Sequence, residues 1–200
     1  MQLRTFVHTF HLHLLPKMPN YDLKSELRDF KLSIVTGDYK VKIDPSVIPS
    51  DKMEFIISKF PDGIITGSIA LIMYGLLARG FEDYDIIIED KNLFPSYSSD
   101  RYGDEEVGNR LGYRDIEYKS GIFSRKKTYK VDFFENNGVK YNFFLFKGNT
   151  YKIQDLLEII DHKMIMANNS TKHRRDLENI FYYANLATTN NYKPGVLPGF

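Results

Sequence analysis

Two hundred residues suffice for one full domain, or for a domain with a helical extension. With 42% hydrophobic and 26% charged residues the composition is ordinary for a globular protein, and a net charge of +1 gives no global signal for nucleic acid or membrane. The lack of cysteine excludes disulfides, thiolate metal sites and cysteine nucleophiles, and fits a reducing, cytoplasmic compartment.

The first twenty residues, MQLRTFVHTFHLHLLPKMPN, are apolar with one early arginine. His8, His11 and His13 break the run and no small-residue cleavage site follows, so secretion is not expected. Residues 1–20 read as a poorly ordered leader, or as sequence upstream of a start at Met18; a histidine metal cluster is the less favoured alternative. A core is expected over 21–150. NYDLKSELRDFKLSIV spaces Leu23, Leu27 and Phe30 as on a helix. DPSVIPSDKMEFIISKF offers Ser50 or Asp51 as N-cap of a second helix with Met53, Ile56, Ile57 and Phe60 inward. GIIT reads as a short buried strand, SIALIMYGLLAR as an apolar helix opened by Gly67-Ser68, and YDIIIED as a second strand. Between Glu89 and Ser120 a loop and one helix, DEEVGNRLG, ending at Gly112, are expected. GIFSRKKTYKVDFFENNGVKYNFFLF reads as strands with a hairpin turn at Asn137-Gly138. From Tyr151 to 187 two helices follow, IQDLLEIIDHKMIMANN and TKHRRDLENIFYYANL, and 188–200 form a tail. No segment is long and apolar enough to span a bilayer; Asp83 and Asp85 cut the best candidate. The order predicts an α+β fold, an α/β sandwich in which a mixed sheet carries helices on one face and a C-terminal helical extension follows.

Several polar residues sit where apolar ones are expected. Gly67-Ser68, between a strand and a helix N-terminus, forms a turn whose free N–H groups suit a phosphate; such pairs also merely cap helices. Asp83 and Asp85 are two apart on a strand and share one face, where like charges repel and burial costs more. Two readings are open: both bind a hard cation such as Mg²⁺, or Asp83 ends a loop and Asp85 lies at a solvated edge. A third acid, Asp132 in TYKVDFFE, joins the same face if its strand neighbours that of Asp85. Three carboxylates then suit two-metal displacement at phosphorus, with Asp132 also able to take the acceptor's proton. SRKKTYK, Ser124 to Lys130, is either a nucleic-acid contact or a charged edge strand.

The motifs IITGSIA, RGFEDYDIII and YKVDFFE occur in the order found in the nucleotidyltransferase superfamily, the fold of DNA polymerase β and the minimal nucleotidyltransferases, which this chain resembles over roughly Phe60 to Phe134. Arg79 looks like the basic residue often found before the acids, although Phe81 replaces the threonine usual there. LLEIIDHKMIMANNSTKHRRDLENI resembles the helical end of AbiEii-type toxins and related enzymes. That resemblance implies that Lys163 contacts nucleotide phosphates, that Arg174 or Arg175 supplies a basic group, and that Asp176 orients a catalytic or binding group. The alternative for KHRRDLE is a solvated helix start with i,i+4 ion pairs, and His162 and His173 are expected at the surface. The resemblance as a whole implies a Mg²⁺-dependent nucleotidyltransferase. Gly67, Ser68, Arg79 and Lys163 would hold an NTP such as ATP, Asp83, Asp85 and Asp132 the metal, and Asp83, Asp85, Asp132 and Asp176 would carry catalysis. The acceptor would be an RNA, a protein or a small molecule, and an antitoxin partner is implied by the toxin-type likeness. The competing expectation is a non-enzymatic nucleotide-binding or protein-interaction module on the same fold.

Overall fold

The computed structural model describes residues 23–77, 80–81, 83–96, 102–103, 110–119 and 125–188, and these form an α+β fold on one mixed sheet. The leader, Arg79, positions 104–109 of the expected helix, Ser124 and the tail from 189 lie outside the described residues. Seven strands take the order β3-β4-β5-β2-β1-β7-β6. They are β1 (Ile64–Ile65), β2 (Asp83–Ile88), β3 (Tyr102–Gly103), β4 (Arg110–Tyr118), β5 (Lys127–Glu135), β6 (Tyr141–Phe146) and β7 (Asn149–Gln154). The β2/β5 and β1/β7 pairs are parallel and the other neighbours antiparallel. The helices are α1 (Leu23–Thr36), α2 (Ser50–Lys59), α3 (Gly67–Met73), α4 (Leu156–Met166) and α5 (Thr171–Thr188). Among the described residues no helix is long and apolar enough to cross a membrane.

Period-two alternation sorts the central strands into two faces. One carries Tyr84, Ile86 and Ile88 of β2 and, by register, Val131 and Phe133 of β5, all buried. Helix α2 covers this face through Phe55, which stacks on Tyr129 (4.3 Å between ring centroids) and meets Tyr84 and Phe60 edge-on. Such aromatic pairs add about 0.5–1.5 kcal/mol each beyond burial. Of the residues expected inward on α2, Met53, Ile56 and Phe60 are buried and Ile57 only partly so. Phe55, absent from that set, is the centre of the cluster. Helix α2 also starts without the expected cap: Pro49 holds the N-cap position, and the Ser50 hydroxyl instead donates to Glu54 Oε1 at 3.2 Å. Helix α1 buries Leu27 and Phe30 and packs on α5.

Four further expectations are corrected. Helix α3 ends at Met73, well short of Arg79. Gly75, at φ +72°, donates to the Ile72 carbonyl, and Leu76 N–H reaches Leu71, the paired bonds of a Schellman stop. Gly112 ends no helix; it lies inside β4, beside the register shift between Arg110 and Gly112. Asn137-Gly138 turns the chain, with Gly138 at φ +77°, but β5 and β6 do not pair. The hairpin is β6–β7, closed by Lys147-Gly148 at φ +48° and +80°. Ile153 and Gln154, expected to open a helix, end β7, and Asp155 caps α4 by accepting from Leu157 N–H at 3.0 Å.

Candidate active site

The opposite face of β2 carries Asp83 and Asp85. The parallel register sets Asp85 against Asp132 and Asp83 against Lys130, so the three acids of the separate sequence motifs share one face of adjacent strands. Tyr113 of β4 lies opposite Asp132 on this face, with Lys130 Nζ 5.0 Å from its ring centroid. Asp132 is buried, while Asp83 and Asp85 are partly buried.

The turn between β1 and α3 is fitted to Asp85. Thr66 N–H donates to the Asp85 carbonyl at 3.1 Å. Gly67 takes φ +64°, and a Cβ placed there would lie 1.8 Å from Asp85 Oδ2. Only a residue without a side chain lets this carboxylate come so close to the turn. The Gly67-Ser68 and Asp-x-Asp motifs are therefore one construction, a coupling that neither motif reveals alone. Ser68 is buried in the first turn of α3.

Burial pushes the Asp85 carboxyl up to about 7, and the charges of Asp83 and Asp132 add to the rise, while Lys172 and Lys163 oppose it. Asp132 has a closer cation: Arg110 Nη2 donates to its Oδ1 at 2.9 Å. Lys172 Nζ stands 4.0 Å from Asp83 Oδ2. Lys163 of α4 and Asp176 of α5 meet directly, Nζ to Oδ2 at 2.6 Å, with 4% and 0% of each residue exposed. An ion pair so buried is worth little against an apolar pair, yet breaking it strands a charge.

The residues expected from the sequence thus divide. Asp83, Asp85, Asp132 and Gly67 converge, and Lys163 meets Asp176 on the helices nearby. Arg174 and Arg175 are exposed, and no ion pair among the described residues ties either to the acids. Arg79 lies outside the described residues. His162 is exposed as expected, whereas His173 is half-buried, its Nδ1 enclosed without a hydrogen-bond partner among the described residues. The two rings lie 6.3 Å apart, and partial loss of solvent around each ring, with the nearby Lys163 charge, lowers the pKa of both. Sequence reasoning missed Arg110 because its strand looked helical. It missed Lys172 although Lys172 and Asp176 stand i,i+4 on one helix face.

Three hard carboxylate donors on one face, one of them raised by burial and its acidic neighbours, fit a divalent cation bound through oxygen. Among the described residues no set of three acids or histidines is already drawn together tightly enough to hold a metal ion. No family model matches the chain, and neither a curated protein nor a solved structure matches it significantly.

Proposed function

We propose that this chain is a Mg²⁺-dependent nucleotidyltransferase that moves a nucleoside monophosphate from an NTP to a hydroxyl of an RNA, protein or small-molecule acceptor. The observation that carries the reading is the Asp85–Asp132 register, with Asp83 on the same face and the side-chain-free Gly67 against Asp85. Asp83, Asp85 and Asp132 would hold the metal, which when bound neutralises triphosphate charge and acidifies the attacking hydroxyl.

The chain's own groups supply the rest. The Gly67-Ser68 turn would offer backbone N–H groups to phosphate oxygens once a nucleotide binds. Lys163 and Lys172 add positive charge on the helix side, and Asp176 fixes where the Lys163 ammonium points. The acceptor oxygen bonds to the α-phosphorus as the bond from that phosphorus to the β-phosphate oxygen breaks, and pyrophosphate leaves with the electron pair. The hydroxyl proton passes to Asp132; Arg110 engages its Oδ1, leaving Oδ2 as the acceptor.

One observation favours the second reading, a nucleotide-binding or interaction module without turnover: Arg110 and Lys163 already neutralise Asp132 and Asp176 within the fold. Label transfer separates the two. Each α-labelled NTP is incubated with protein, Mg²⁺ and total RNA or cell extract, beside an Asp83→Ala/Asp85→Ala control. Label entering RNA, protein or a small product only with intact acids is the expected result, and it names the acceptor class. No transfer from any NTP by folded protein, together with a Mg²⁺–NTP thermal shift, gives the binding module instead.

A further inference from the structure

Strand β6 is an edge of the sheet, and its sequence, YNFFLF, carries no charge. It pairs only with β7, through a two-residue turn at Lys147-Gly148. In such a hairpin the residues flanking the turn form a hydrogen-bonded pair and the bonding alternates from there. Phe146, Phe144 and Asn142 therefore bond to β7, and the N–H and C=O groups of Tyr141, Phe143 and Leu145 point outward. Among the described residues no backbone hydrogen bond meets that outward edge. The side chains of the same three residues share one face and are exposed, Phe143 by 62% and Leu145 by 71%. Natural edges are usually blunted by charge, proline or a bulge, and β6 has none of these in its run.

Beside the start of β6 lies a cavity of about 320 Å³. Its apolar walls include Ile34 of α1, Val41, Ile43 and Phe143, with Asn142 and Asp155 as polar groups. That volume takes one or two apolar side chains. Lys40 and Lys42 alternate in sequence with the lining residues Val41 and Ile43, and Lys140 precedes Tyr141, its backbone N–H donating to Glu158 Oε2 at 3.0 Å. All three are exposed, and among the described residues none has a carboxylate partner for its ammonium group.

We propose that β6 is a docking edge for an extended peptide of a partner protein, apolar at alternate positions and acidic in its flanks, which adds as an eighth strand. The outward backbone groups supply its hydrogen bonds, Phe143, Leu145 and the cavity take its apolar side chains, and Lys40, Lys42 and Lys140 select acidic flanks. The proposal stands apart from the nucleotidyltransferase reading, because it uses none of the acids.

The probe is a labelled synthetic peptide of alternating valine and threonine with two glutamates at each end, compared by fluorescence anisotropy with a scrambled version and one with lysine ends. The wild-type chain is expected to bind the acidic peptide at least tenfold more tightly than either control. Phe143→Pro removes an outward N–H and leaves the β7 bonds intact, so it is expected to abolish binding while melting within a few degrees of wild type. Lys40→Glu/Lys42→Glu is expected to reverse the preference between acidic and lysine ends. Equal binding of the three peptides overturns the proposal, as does saturable binding that survives Phe143→Pro. Concentration-dependent dimerisation lost in Phe143→Pro, without peptide binding, assigns the edge to a second copy and also overturns it. Peptide binding only after deletion of residues 1–17 assigns it to that segment, with the same consequence.

Discussion

The two faces of β2 and β5 are built from the same two strands read alternately, yet they obey opposite rules. On one, Tyr84, Ile86, Val131 and Phe133 are sealed by Phe55 and its aromatic neighbours. On the other, Asp83, Asp85 and Asp132 gather beside Arg110, Lys172 and the Lys163–Asp176 pair. The first face holds the fold by area and ring geometry. The second concentrates charge that the fold alone would be better without, since apolar replacements of buried ion pairs are often neutral or stabilising. The contrast separates stability from chemistry, and substitutions on either side can test it.

The largest loss is expected on the aromatic face. Phe55→Ala removes the ring at the centre of the cluster and should cost about 4 kcal/mol, read as a fall in the urea midpoint. Nucleotide binding by the fraction still folded should be unchanged; altered binding would mean that the two faces are coupled. Next comes Asp176→Ala, which strands the buried Lys163 ammonium and should cost about 3 kcal/mol. The double variant Lys163→Met/Asp176→Leu should recover most of that stability in the same denaturation assay but lose label transfer. If it transferred label normally, the pair would belong with the scaffold.

Gly67→Ala is a smaller perturbation in stability and a sharper one in chemistry. The new Cβ must displace the Asp85 carboxylate, and φ +64° is strained for alanine, together about 1–2 kcal/mol. Thermal shift by Mg²⁺ plus NTP should vanish in this variant; a full shift would detach the turn from the acids. An effect of similar size is a pH dependence. The Asp85 carboxyl stands near 7 in the folded chain against an ordinary 3.8, so the native state holds this proton more tightly than the unfolded one. Its contribution to stability is present at acid pH and is lost as pH rises from about 4 to about 7. In chelator, Asp85→Asn should therefore gain on wild type between pH 5 and pH 8, by roughly 1–2 kcal/mol after allowance for solvent screening. Scanning calorimetry at both pH values checks this, and a gap that closes with rising pH would refute the sign.

The acid face was the part most legible in the sequence, because Asp83, Asp85 and Asp132 break apolar alternation and so advertise an unusual environment. Their meeting still required a pairing between distant strands that alternation alone does not specify. Gly67 was visible as a turn glycine; its contact with Asp85 was not, since no local pattern encodes which side chain fills the space a missing Cβ leaves. Arg110 was lost with its element, because Gly112 resembled a helix stop where the chain makes a strand irregularity. Asn137-Gly138 misled for a related reason: it forms a turn, but strand pairing depends on neighbours far away in the sequence, and the hairpin signal was spent on Lys147-Gly148. The aromatic face was half visible. Met53, Ile56 and Phe60 followed helical spacing, while Phe55 contributes by packing across to Tyr84 and Tyr129.

The strand order has a kinetic consequence. After β5 the chain leaves the middle of the sheet and crosses to the far edge to form β6 and β7, and among the described strands it is the two-residue β1 that pairs that hairpin with the rest of the sheet. The β6–β7 hairpin and the β4–β5 ladder rest on contacts local in sequence, whereas β1 must pair on one side with β2, Ile64 against Ile87, and on the other with the distant β7, Ile64 against Lys152. Because loop closure precedes its reward in long-range pairing, Ile64 and Ile65 are expected to lock late, and the folding rate to be governed by that closure. The Gly67 turn that follows β1 and receives Asp85 would then take its final shape among the last events of folding.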